Sequence, residues 1–169
     1  MILFRALHKR YVSQWNEYDK GSSFKDGARW NQANTPVMYF SSNVQNAMLE
    51  LANYATTPTI ANGLFVIGAF ECTALRLKEL DPKMLPNGWE QYPFHIATQD
   101  YGSTILHDDD YDGLVVPSCA INTTLASSPH NEVRRSLYAN VILNPEKPAF
   151  KTMKLMDTFE PIYSNRMFN

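Results

Sequence analysis

The run Leu64-Phe65-Val66-Ile67-Gly68-Ala69-Phe70 constrains the fold more than any other stretch of the chain. It carries no charge, has the length of a strand rather than a helix, and reads as a central strand buried on both faces. Shorter strand-like runs lie on either side of it. Ile2 to Leu7 reads as a first strand, with Phe4 and Arg5 on opposite faces at period two. Val37–Phe40, Gly113–Val116 and Tyr138–Leu143 are predicted strands, and Lys151–Leu155 alternates weakly as a final one. Arg76–Leu80 followed by Asp81-Pro82 marks a strand end and a turn, and Pro86–Trp89 marks another turn. Helices are expected after Ser42 and from Ile96 or Thr98 to Leu106. Thr56–Asn62, marked by Pro58, and the polar residues 119–137 read as loops, the second as a lid or a partner contact. Strands alternating with helices predict a mixed α/β (α+β) chain, and 169 residues fit one domain over 1–169.

Chemistry concentrates between Gly27 and Tyr54. Gly21–Ser23 and Lys25–Gly27 are turn material leading into a loop with Arg29, Trp30 and Asn31. A short strand follows, and then Ser41 or Ser42 is placed to cap a helix, with Gln45 three residues after Ser42. Val44, Ala47, Met48, Leu51 and Ala55 keep the spacing of a buried helical face. Glu50 lies about 120° from the centre of that stripe, on its flank, where a side chain reaches a cleft edge. One segment therefore offers a guanidinium, a phenol and a carboxylate near element ends, where sites form. Taken singly, each residue has an ordinary reading: a solvated loop Arg29, an ion-paired or surface Glu50, and a core Tyr39 with its hydroxyl at the rim.

Composition removes other classes. A net charge of −2 argues against nucleic acid as a direct partner, because a phosphate-binding surface is normally a basic patch. Cys72 and Cys119 lack metal-like spacing and read as reduced, structural thiols. His107-Asp108-Asp109-Asp110 with Asp112 lacks the alternating ligands and closing Glu of a calcium loop, so it reads as a solvated acidic loop. His8, His95 and His130 have no ligand spacing, and no metal is expected. No segment approaches the ~18 apolar residues of a membrane span, and MILFRALHKRY has too short an apolar run for a signal peptide. A cytoplasmic protein without membrane contact is predicted. An effector exported without a cleaved signal would look the same.

The ordered motifs resemble the RES-domain toxins of bacterial toxin–antitoxin systems, a family named for an Arg, a Glu and a Ser. Gly27-Ala28-Arg29-Trp30-Asn31 resembles the family's G-G-R-W-N, with Ala28 in place of the second Gly. Tyr39-Phe40-Ser41-Ser42 and Ala47-Met48-Leu49-Glu50 resemble its Y-x-S and A-x-x-E, and Val116-Pro117-Ser118 supplies the Ser. Trp89, Thr98-Gln99 and Gly102 match a Trp and a T-Q-x-x-G of scaffold character. Asn144-Pro145 matches a strand-closing N-P, and Asn165-Arg166-Met167 matches the usual ending.

The resemblance implies an ADP-ribosyltransferase-like fold, a mixed, split β-sheet with flanking helices around an NAD cleft. It implies a toxin that consumes NAD as its substrate, with no permanently bound cofactor, by cleaving the nicotinamide–ribose bond as a glycohydrolase or phosphorylase. An ADP-ribosyltransferase acting on a protein, or a non-enzymatic binding module, is the alternative. Bond cleavage builds positive charge on the ribose, which a carboxylate beside the ring stabilises; Glu50 is assigned that role. The pyrophosphate needs forked donors, which Arg29 offers, and Tyr39 offers a face for nicotinamide. Ser118 is assigned a bond to a phosphate or ribose oxygen, with Asn31 and Ser41 as lesser contributors and Arg5 of the first strand as a second-rank contact. The expected partner is an Xre-like helix-turn-helix antitoxin, whose DNA contact would be its own.

Overall fold

The computed structural model describes residues 1–164 and Arg166. Asn165 and Met167, two positions of the C-terminal match, lie outside the described residues. In chain order the elements are β1 (Ile2–His8), α1 (Ser22–Lys25), β2 (Met38–Ser41), α2 (Val44–Ala52), α3 (Pro58–Leu64) and β3 (Phe65–Glu71). They continue with β4 (Leu77–Glu79), α4 (Ile96–His107), β5 (Gly113–Val116), α5 (Asn131–Ser136), β6 (Asn140–Leu143) and β7 (Lys154–Phe159). Short 3-10 turns fill several of the connections.

The strands form a seven-stranded sheet in the order β4-β5-β6-β2-β1-β3-β7. The β4–β5 pair is parallel and the others are antiparallel. The fold class is the mixed α/β one expected. β3 is buried through its middle, as its composition demands, but lies one strand in from the β7 edge rather than at the centre. The sheet has one weak join. β1 and β3 register over seven pairs, whereas β1 meets β2 at a single registered pair, Phe4 opposite Ser41. That pair is the one registered link between β4-β5-β6-β2 and β1-β3-β7 within the single sheet.

On one side of the sheet, Leu3, Leu7, Phe40, Phe70, Val141 and Phe150 form a single apolar cluster. On the other side the apolar residues separate into two. Trp30, Ile105, Leu106, Leu114, Val116 and Ile142 gather under α4, while Ala47, Leu51, Ala61 and Ile67 gather under α2 and α3. The seam between these clusters runs past Ser41 and Asn140, which face each other across β2 and β6. Polar side chains at such a seam escape the full cost of burial in either cluster when they bond one another.

Several local expectations change. α2 is capped by Asn43, whose side chain accepts the Asn46 N–H at 2.8 Å; Ser41 instead ends β2 and Ser42 is exposed. Of the predicted apolar stripe, Ala47 and Leu51 are buried and Val44 and Met48 half-buried on α2, while the buried Ala55 lies just beyond the helix end. Thr56–Asn62 is not a loop. Thr57 caps α3 and Pro58 opens it, the helical position where a missing N–H costs nothing. Leu64 consequently ends that helix rather than starting β3. Residues 119–137 contain a 3-10 turn, Thr123–Ser127, and α5. The final strand is displaced to Lys154–Phe159, with Lys151 in a 3-10 turn, and β6 starts at Asn140 rather than Tyr138. Within the acidic loop Asp112 is buried and accepts the Arg76 backbone N–H at 2.8 Å and its guanidinium at 3.2 and 3.3 Å. Burial pushes this carboxyl upward, but the Arg76 bonds outweigh it and hold it below the usual range.

Candidate active site

The Arg29 loop is shaped by its own backbone and by α4. Gly27 has φ +78°, and a Cβ there would meet the Asn31 carbonyl and the Ala33 N–H at 3.0 Å. Ala28 does not have positive φ; it pairs with Asn31 through backbone bonds of 3.0 and 3.3 Å. Only the first glycine of the motif is conformationally required, which explains why Ala28 is tolerated.

From α4, Gln99 Nε2 donates to the Ala28 carbonyl at 2.9 Å, and Ser103 Oγ accepts the Gln32 N–H at 2.8 Å. Gly102 lets the helix axis approach so closely that a Cβ would sit 2.0 Å from the Trp30 carbonyl oxygen. Trp30 itself is buried and stacks on Trp89, with ring centroids 6.4 Å apart. Gln99, Gly102 and Ser103 thus form a cradle for the loop.

Asn31 and Tyr39 work inside the loop. Asn31 is fully buried, donates to the Ser23 and Gln32 carbonyls at 2.7 and 2.9 Å, and accepts the Tyr39 hydroxyl at 2.8 Å. The same hydroxyl accepts the Trp30 N–H at 3.1 Å. Burial raises the Tyr39 phenol above its ordinary pKa, with the Trp30 N–H opposing, so it stays protonated as a donor. Asn31→Ala leaves two carbonyls and a phenol short of partners. It is expected to cost about 2 kcal/mol and to lower the melting temperature by about 4–8 °C, read by calorimetry.

Arg29 is aimed by the residues around Trp89. One guanidinium nitrogen donates to the Trp89 and Gln91 carbonyls at 2.6 and 2.8 Å, and the group lies over the Phe94 ring at 5.1 Å. Among the described residues its remaining nitrogens carry no hydrogen bond and no ion pair.

Glu50 is the centre of the seam. It is half-buried on α2, and its Oε1 accepts both the Ser118 hydroxyl and the Asn140 amide at 2.9 Å. Among the described residues Oε2 has no hydrogen bond. Ser118 is fully buried just beyond β5; its Oγ also accepts the Ala120 N–H at 3.1 Å. It therefore supports Glu50 from behind. Ser41 is also buried, and accepts the Asn46 amide at 2.9 Å.

Arg29 and Glu50 share one electrostatic environment. The Tyr39, Tyr54 and Cys119 side chains each feel both charges. Burial pushes the Cys119 thiol up to about 11, with Arg29 opposing, so it is not a thiolate nucleophile at neutral pH. Tyr54 and Tyr92 stand at the rim, 79% and 83% exposed. The hydroxyl end of Tyr54 is nonetheless desolvated, which raises its pKa first, and Glu50 raises it further.

Family comparison agrees with these motifs: the model described as "RES domain" matches residues 2–162. The chain belongs to the RES domain family. Two curated relatives of this RES domain cover nearly all of it. "Toxin Res" of Yersinia enterocolitica is 29% identical over 154 residues, 90% of this chain and 89% of the relative. "Toxin Res" of Photorhabdus laumondii is 28% identical over 163 residues, 93% and 92% of the two chains.

Of the residues singled out in the sequence, the RES fold joins Glu50 and Ser118 directly and sets Arg29 in the same field. Arg5 is elsewhere. It donates to the Trp15 carbonyl at 3.3 Å and lies 5.8 Å from the Phe40 ring centroid, within the cluster on the opposite side of the sheet. Burial lowers its pKa to about 10. It meets Tyr39 only across a small cavity of about 120 Å³. The 119–137 segment, including Arg134, walls a separate cavity of about 750 Å³ with Glu79, Asp81 and Lys83, and no candidate site residue lines it. Asn46, Asn140 and the rim tyrosines escaped the sequence reading. Among the described residues no cluster of His, Cys, Asp and Glu is arranged for a metal, and no helix is long and apolar enough to cross a membrane.

Proposed function

We propose that this RES domain is the toxin of a bacterial toxin–antitoxin pair and consumes NAD by cleaving the nicotinamide–ribose bond. Family membership and the names of the two relatives support the toxin reading. The observation that carries the chemistry is the state of Glu50. One carboxylate oxygen is saturated by Ser118 and Asn140, while the other has no hydrogen bond among the described residues. A carboxylate fixed in this way stabilises positive charge developing on a ribose ring without reorganising as it forms. Arg29, braced by two carbonyls and a ring, offers its remaining donors to a pyrophosphate. The exposed Tyr54 and Tyr92 offer aromatic surfaces to flat rings of the substrate, and the partly buried Tyr39 is the ring this reading sets beside nicotinamide. Ser118 acts through Glu50 rather than on the substrate. NAD is a substrate here, with no resident cofactor or metal in the reading, and the antitoxin is a separate, Xre-like helix-turn-helix protein.

The test is incubation of the purified protein with NAD, with and without phosphate, resolved by chromatography and mass. Nicotinamide release in either condition supports the reading. Release only with phosphate, with a phosphorylated ADP-ribose product, identifies a phosphorylase, and release without phosphate a glycohydrolase. Intact NAD in both conditions, with protein that is folded and free of antitoxin, overturns it. Arg29→Lys is expected to raise KM for NAD about tenfold with a smaller change in kcat, because an ammonium cannot hold the Trp89 and Gln91 carbonyls and also present a fork. Initial rates across a range of NAD concentrations check this.

A further inference from the structure

We propose that Asn140, itself oriented by Asn46, is a positioning residue that fixes the Glu50 carboxylate in its working rotamer. The inference rests on the NAD-cleaving reading of Glu50 and extends it to two residues outside the family's three letters.

A glutamate on the flank of a helix has three rotatable bonds and, left alone, samples many positions. Here two donors meet on Oε1, and each has its polarity set by a neighbour. The Ser118 Oγ accepts the Ala120 N–H at 3.1 Å, so its own proton is directed to Glu50 at 2.9 Å. The Asn140 case takes one more step. Asn46 Nδ2 has three oxygens around it: Asn140 Oδ1 at 2.7 Å, Ser41 Oγ at 2.9 Å and the Ala139 carbonyl at 3.4 Å. A backbone carbonyl only accepts, so Asn46 presents its NH2 to this group. Asn140 must then present its oxygen to Asn46 and its NH2 to Glu50. The relay therefore has one direction, from Asn46 through Asn140 to the carboxylate.

Two further observations fit a positioning role. Asn46 is buried at 1% exposure, and among the described residues its Oδ1 has no hydrogen-bond partner. A buried acceptor left unsatisfied is a cost, and proteins retain such costs where a geometry is needed for another purpose. Asn46 also stands in the first turn of α2, where its backbone N–H is held by the Asn43 cap. The same residue thus ties the start of the helix to β6 and, through β6, to a carboxylate one helical turn further along. With Oε1 held from behind, Oε2 is left for the ligand.

The test uses the full chain and two variants. Asn140→Asp keeps size and removes the donor, setting a second carboxylate against Glu50. Its kcat for NAD cleavage is expected to fall about 100-fold, with KM within about threefold of the parent. Asn46→Ala frees Asn140 to turn its amide over, and is expected to lower kcat about tenfold, again with KM little changed. A merely structural role would reduce melting temperature and folded fraction but leave kcat per folded molecule unchanged. The second readout is spectroscopic and independent of turnover. The Asn140 side-chain NH2 resonances are expected to be shifted and slowly exchanging in the parent, and to lose both properties in Glu50→Ala. Folded Asn140→Asp and Asn46→Ala proteins with kcat within about threefold of the parent would overturn the proposal, as would NH2 resonances indifferent to Glu50. If the parent leaves NAD intact while those resonances still depend on Glu50, the NAD reading fails and the positioning of Glu50 stands.

Discussion

Glu50→Ala is expected to reduce nicotinamide release from NAD about 1000-fold while the protein remains folded. The size follows from the loss of a preorganised charge aimed at a transition state, an effect of about 100- to 1000-fold for single groups of this kind. The fold survives because Glu50 is on the flank of α2, half-buried, whereas Ala47 and Leu51 carry the packing. Ser118 and Asn140 lose an acceptor, which costs on the order of 1–3 kcal/mol. Glu50→Gln separates the two roles. Its amide oxygen still accepts from Ser118 and Asn140, so stability is expected to return, but the negative charge is gone and turnover stays low. Nicotinamide measured by chromatography and melting measured by calorimetry decide the matter. A Glu50→Ala protein that cleaves NAD at the parent rate would remove Glu50 from the chemistry. In cells the same substitution is expected to relieve growth arrest on expression.

Gly102→Ala is expected to have the largest effect on stability. In an exposed helix interior the change would gain about 1 kcal/mol. Here the new methyl would stand 2.0 Å from the Trp30 carbonyl oxygen and 2.8 Å from its carbon, both backbone atoms. Relief requires α4 to move off the loop, which breaks the Gln99 and Ser103 bonds to Ala28 and Gln32. A loss of about 3 kcal/mol is expected, which lowers the melting temperature by about 10 °C. Gly63→Ala is the matched control. Gly63 lies in α3 with open space around its would-be Cβ, and a small rise in melting temperature is expected there. Because the displaced loop carries Arg29, Gly102→Ala is also expected to raise KM for NAD.

What the sequence revealed divides along a physical line. Arg29, Tyr39 and Glu50 are legible as polar groups near element ends, but it is the resemblance to the RES family's motifs that singles them out together with Gly27 and Ser118. The apolar stripe of α2 is legible from its helical spacing. The cap of that helix was obscured because Ser41, Ser42 and Asn43 are three consecutive competent caps, and the choice among them is made by where β2 ends. Pro58 marks a loop in the sequence, but Pro suits the first turn of a helix as well as a loop, and local composition does not separate the two. Asn140 lies 90 residues from Glu50 and 94 from Asn46, so only strand pairing across β2 and β6 brings them together. Tyr39 was legible as a residue but not as a task, since its hydroxyl partner Asn31 is set by the loop's path. The weak join at Phe4 and Ser41 is likewise a property of register, which no single strand announces.

The stacked tryptophans have an optical consequence. Trp30 and Trp89 are buried against one another at a ring-centroid distance of 6.4 Å, and the Trp89 carbonyl is one of the two groups that hold Arg29. The third tryptophan, Trp15, sits apart against Phe70 and Phe150. In a Trp15→Phe protein all remaining indole emission would therefore come from the Trp30–Trp89 pair behind Arg29. An anion bound by the remaining donors of Arg29 would place a negative charge beside this pair and change the intensity or colour of that emission. The chain carries a built-in fluorophore pair for titrating its own cleft, free of label and free of turnover.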